Sequence, residues 1–128
     1  MHKRTMTTAI AVASIAFAAV ATAGGVGSTV GGGVSNTADG DYSTASGGYL
    51  NHADGDFSVV SGGIENVAAG NSSVVSGGHE NVAMGDGSVV PGGQQNFAGG
   101  VGSFAGGHQA HVRSPAETGT QFGDSYTF

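Results

Sequence analysis

The side chains here that could do chemistry are acids, histidines and serines, since the 128-residue chain has no cysteine and no tryptophan. Asp39-Gly40-Asp41 and Asp54-Gly55-Asp56 stand 15 residues apart. If the chain turns once in that interval, four carboxylates share one corner, and a hard cation such as calcium would relieve them. The equivalent positions further on are Ala69 and Asn71, Met84 and Asp86, and Gly99 and Val101, so the acids do not persist. Calcium-binding rolls use a nine-residue repeat, G-G-x-G-x-D-x-U-x, which is absent. Solvated turn acids are therefore the expectation, with calcium at Asp39, Asp41, Asp54 and Asp56 as the alternative. His108 and His111 could share a metal, but no third ligand is evident beside them. The serines recur on a fixed spacing and not beside a histidine and an acid, which excludes the pattern of a nucleophile with its base. The expectation is a non-enzymatic protein with no cofactor and no metal.

The spacing of those serines shows what positions everything else. Ser28, Ser43, Ser58, Ser73, Ser88 and Ser103 each follow the last by 15 residues. Asparagine keeps the same step at Asn36, Asn51, Asn66, Asn81 and Asn96, and alanine at Ala38, Ala53, Ala68, Ala83 and Ala98. Glycine pairs recur at Gly32-Gly33, Gly47-Gly48, Gly62-Gly63, Gly77-Gly78 and Gly92-Gly93. A unit this short cannot bury a face alone, so its copies must stack as a solenoid. Helical repeats need more than about 30 residues, and dense Gly, Ser and Asn disfavour helix. The predicted fold is all-β: a parallel β-roll of about six coils, one short strand per face. Strands fall at Ser58-Val59-Val60-Ser61 and Asn66-Val67-Ala68-Ala69, with corners at Gly62-Gly63 and Gly70-Asn71. Coils stacked at about 4.8 Å make a stub of roughly 25–30 Å. Identical residues then form ladders. Ser43, Ser58, Ser73 and Ser88 make one, and Asn51, Asn66, Asn81 and Asn96 can bond amide to amide in another. Ala53, Ala68, Ala83 and Ala98 fill a narrow interior expected to admit nothing larger.

Strand alternation sends one residue of each adjacent pair inward and the other outward. The pairs Val59-Val60, Val74-Val75 and Val89-Val90 thus put an apolar stripe on the outside, which predicts an interface with further copies of the chain. Export is predicted from basic His2-Lys3-Arg4, the apolar run Ala9 to Val20 and the small-residue site ending at Ala23: a signal peptide at 1–23, too short in its apolar run to span a membrane. The roll is expected over 24–112, and 113–128 belongs to no repeat and reads as a cap or the start of a neck. Behind the signal, nine acids face a single base, Arg113, a net charge of about −8 that argues against nucleic acid and anionic lipid as partners. An ice-binding solenoid would need paired threonines, and Thr29 and Thr44 give way to Val59 in that column.

The register of Ser, Gly-Gly, Asn, Ala and Gly over about Gly24 to Val112 resembles the YadA-like head domain of trimeric autotransporter adhesins, whose coils carry S-V-A-I-G and A-x-G units. The resemblance implies a left-handed parallel β-roll, a homotrimer, and display at the bacterial cell surface or outer membrane for binding host matrix proteins, cells or glycans. On that reading the variable outer positions Tyr49, Ile64, His79 and Gln94 form the ligand surface. The chain departs from the family pattern in showing no heptads and no amphipathic strands of a membrane barrel. Its sixth coil is one residue short, with Ala110 in the asparagine slot. A freely secreted roll is the alternative.

Overall fold

The computed structural model describes residues 20–113 and 119–123. Most of the expected signal peptide, and most of the segment 113–128, lie outside the described residues. The strands in chain order are β1 (Thr22–Ala23), β2 (Thr29–Val30), β3 (Thr37–Ala38), β4 (Thr44–Ala45), β5 (His52–Ala53), β6 (Val59–Val60), β7 (Val67–Ala68) and β8 (Val74–Val75). They continue as β9 (Val82–Ala83), β10 (Val89–Val90), β11 (Gly93–Gln94), β12 (Phe97–Ala98), β13 (Phe104–His108), β14 (His111–Val112) and β15 (Thr120–Gly123). Two parallel sheets result. One runs β1-β3-β5-β7-β9-β12-β14; the other runs β11-β13-β10-β8-β6-β4-β2, with β15 on β13. The chain is an all-β parallel solenoid in which Val59 pairs with Val74 and Val67 with Val82, one 15-residue turn on. Pairing already begins at Thr22, opposite Thr37, two residues ahead of the expected start of the roll.

Strands of two residues hold because every coil hydrogen-bonds along its whole length to the next. The N–H of Val59 donates to Ser73 O at 2.9 Å, that of Ile64 to Gly78 O at 2.9 Å and that of Val67 to Asn81 O at 2.8 Å. Two positions per coil point the other way. Glu65 and Phe57 have φ of 56° and 58°, and their N–H groups donate backwards, to Tyr49 O at 2.9 Å and Asp41 O at 2.8 Å. The left-handed conformation costs about 1–2 kcal/mol for a residue with a Cβ. Each such residue gains a bond to the preceding coil, which offsets part of that cost.

The second corner differs from the expected one. Gly70 does not take positive φ; the left-handed residue is Ser72, as it is Tyr42 and Phe57 in earlier coils. Gly70 is required for another reason: a Cβ there would run into the backbone carbonyl of Gly85 in the next coil. The first corner does use glycine for φ, with Gly62 at 153° and Gly63 at 91°.

The interior is one cluster of small side chains. Ala38, Ala53, Ala68, Ala83 and Ala98 come from the first sheet, and Ala45, Val60, Val75, Val90 and Ala105 from the second, all 0% exposed. The interior therefore admits valine on one side, contrary to the alanine-only expectation. A smaller residue on one sheet leaves room for a larger one on the other. The sixth coil loses its residue between Phe104, which pairs with Val89, and Gly107, which pairs with Gly93. Beyond it β15 stacks on β13, and Phe122 meets Phe104 edge-on at 5.6 Å.

Candidate functional site

Two polar columns, one of asparagine and one of serine, lie inside the roll. Asn66 is fully buried, and its Nδ2 donates to Asn51 Oδ1, Gly62 O and Gly78 O, each at 3.0 Å. Its Oδ1 accepts from the N–H and the Nδ2 of Asn81, both at 3.1 Å. Asn51, Asn81 and Asn96 repeat this pattern, and the ladder ends where Ala110 N–H donates to Asn96 Oδ1 at 2.9 Å. The serine column is equally buried, yet the hydroxyls of Ser43, Ser58, Ser73, Ser88 and Ser103 have no hydrogen-bond partner among the described residues. Only the part-buried Ser28 turns its hydroxyl onto a carbonyl, Gly25 O, at 2.8 Å.

The valine pairs separate by face. Val60, Val75 and Val90 are wholly inside the coil and have no surface to offer a second copy, so the interface expected at all six valines reduces to Val59, Val74 and Val89. These three are half-buried and continue a straight outer column from Thr44 to Phe104.

At the acid corner the four aspartates split into two columns. Asp56 Oδ1 accepts the Asp41 N–H at 3.0 Å, and Asp41 Oδ1 accepts the Val26 N–H at 2.8 Å. Asn71 and Asp86 continue this column, so its carboxylates act as caps for the backbone of the preceding coil. In the other column, burial pushes the Asp54 carboxyl above the ordinary carboxylate value, His52 opposes this and Asp39 adds to it. Among the described residues, the acids Asp39, Asp41, Asp54 and Asp56 do not form a group of three within metal-ligating distance. His108 and His111 lie on different strands, and His111 stacks on Phe97 at 6.0 Å.

The surface positions Tyr49, Ile64, His79 and Gln94 come together as one continuous edge, each bridged in register to the next coil. Tyr49 and Ile64 are each 46% exposed. Beside this edge runs a second column that the sequence reading did not single out: Glu65, Glu80, Gln95 and Gln109, each next in sequence to an edge residue or its successor. Gln95 Nε2 donates to Glu80 Oε2 at 2.7 Å, and Gln109 Nε2 donates to Gln95 Oε1 at 3.1 Å. His79 Nε2 stands 3.4 Å from Glu80 Oε1, and the Gln94 amide reaches His79 Nδ1 at 3.3 Å. One ligating atom from each of Glu65, His79 and Glu80 lies within 4.8 Å of the others. The signal was present in the repeated Ile64-Glu65-Asn66 and His79-Glu80-Asn81, whose acids share a phase of the repeat. A shallow groove of about 490 Å³ adjoins this column, lined by Glu80, Val82, Gln95, Phe97, His111 and Arg113 among others. A second, of about 390 Å³, is lined by Leu50, His52, Glu65 and Val67.

No family model matches the chain, and no curated protein matches it in sequence.

Proposed function

We propose that this chain is a non-catalytic adhesin head, exported and displayed at a bacterial surface, which assembles as a homotrimer and presents its edge columns to host matrix, cells or glycans. The observation that carries the reading is the outer column of the second sheet. Val59, Val74 and Val89 stack in register over successive coils while the inward residue of each pair fills the core. A regular aliphatic ridge on a chain so poor in charge favours a second copy over water, and cyclic assembly closes such a contact. The variable edge of Tyr49, Ile64, His79 and Gln94 supplies the chemistry of contact on a rigid frame. The likeness to YadA-like heads supports the same assignment.

Sedimentation of the refolded chain tests assembly. A trimer that dissociates to a folded monomer in Val74→Asp, with the β-type circular dichroism retained, is expected. A well-folded wild-type monomer at micromolar concentration would remove the trimer from the reading. Binding to immobilised matrix proteins and a glycan array, lost on replacing Tyr49 and Ile64 by serine, tests adhesion.

A further inference from the structure

We infer that Glu65, His79 and Glu80 form a binding site for a single zinc-class divalent transition metal on the edge of the roll. The register places Glu65 and Glu80 in the same left-handed conformation, at φ of 56° and 54°, one coil apart. Two carboxylates leave the backbone side by side, an arrangement of like charges that costs stability unless something positive lies between them. His79 comes from the residue before Glu80, and the ligating atoms of all three converge within 4.8 Å.

The spacing of His79 and Glu80 suits a shared ion as well as a direct ion pair. Ligands held about 2.0–2.2 Å from a tetrahedral centre stand roughly 3.3–3.6 Å apart. His79 Nε2 and Glu80 Oε1 are 3.4 Å apart, longer than a good charge-assisted hydrogen bond.

A second observation, independent of the acids, is that both inner ligands are oriented by the next coil. Gln95, itself held by Gln109, occupies Glu80 Oε2 and leaves Oε1 facing the histidine. Gln94 Nε2 stands 3.3 Å from His79 Nδ1, so metal binding at His79 Nε2 requires this amide to turn end for end, which leaves its outline unchanged. Its carbonyl then accepts from Nδ1–H, which keeps the lone pair of Nε2 toward the carboxylates, the arrangement found around metal-bound imidazole. One nitrogen and two carboxylates select a borderline metal over calcium, which takes six to eight oxygens. Three protein ligands leave a coordination position for water or for a donor from a partner.

The test is titration of the full chain, without a histidine tag, with zinc chloride against a chromophoric chelator. A single saturable site is expected. His79→Ala and Glu80→Gln should each weaken it at least about tenfold, and Gln94→Leu by about tenfold through loss of orientation. His108→Ala should leave it unchanged, and excess calcium chloride should not displace the metal. Glu65→Gln serves as a second ligand variant, and circular dichroism verifies that each variant folds. Absence of saturable zinc binding, affinity unchanged in folded His79→Ala and Glu80→Gln, or displacement by calcium would each overturn the inference.

Discussion

The asparagine and serine columns occupy the same roll, repeat with the same period and are both removed from water, but they meet opposite fates. Each central asparagine spends its amide on three acceptors and offers its carbonyl to two donors. Each buried serine donates only through its backbone, as Ser73 N–H does to Gly70 O at 3.1 Å, and its hydroxyl bonds to nothing described. Burial and repetition alone therefore do not show that a polar column stabilises a solenoid. What decides is whether the side chain can reach between coils. An amide spans the interstrand gap of about 4.8 Å because it carries a donor and an acceptor at separate ends, and a hydroxyl on a single carbon is too short.

The largest effect should come from breaking the ladder that works. Asn66→Ala leaves the Asn81 N–H buried without its acceptor and takes donors from Gly62 O and Gly78 O. A loss of about 3 kcal/mol or more is expected in denaturant unfolding, since each unsatisfied buried group costs about 1–3 kcal/mol. A loss below about 1 kcal/mol would make the two columns alike.

Next comes Val75→Ala, which removes buried apolar volume beside the serine column. About 2 kcal/mol is expected from the lost methyl groups and the void they leave, read by the same unfolding curves. That value is the measure of ordinary packing against which both polar columns are judged.

Ser73→Ala removes a hydroxyl that has no partner, so stability should stay within about 1 kcal/mol of wild type, with any change upward. A clear destabilisation would mean that the hydroxyl is bonded in solution, as Ser28 is to Gly25 O, and would restore the serine column as a ladder.

The smallest effect concerns a surface column. The folded Asp54 carboxyl titrates above its ordinary value of 3.8 because of burial, with Asp39 adding to the shift and His52 opposing it. The native state thus binds the proton more tightly than the unfolded chain. The stabilising share is complete below the unfolded value and is lost as pH rises through the folded one. Asp54→Asn should melt slightly higher than wild type at pH 7 and lose that advantage near pH 3. Because the side chain reaches solvent, the gain is small.

The architecture was legible because a 15-residue period states which residues lie above one another. Ser, Asn, Ala and Gly each keep one phase, and stacking of identical phases follows from strand spacing. Corner chemistry was only half legible. Gly62-Gly63 turns through positive φ as glycine suggests, whereas Gly70 is glycine because the next coil's carbonyl approaches it, and Tyr42, Phe57 and Ser72 take the left-handed conformation despite their Cβ atoms. No local rule predicts a phenylalanine there; its N–H bond to the preceding coil exists only once the coils are stacked.

From its period and composition alone, the chain determined that it would be an all-β solenoid, where its coils divide, and which residues would form columns. Only the tertiary structure decided direction. It turned Val60, Val75 and Val90 into the core, and it left Val59, Val74 and Val89 outside. It also brought Glu65, His79 and Glu80 to within 4.8 Å of one another. Alternation says that neighbours face opposite ways but not which of them faces in, and because both members of each pair are valine that choice belongs to the closed coil.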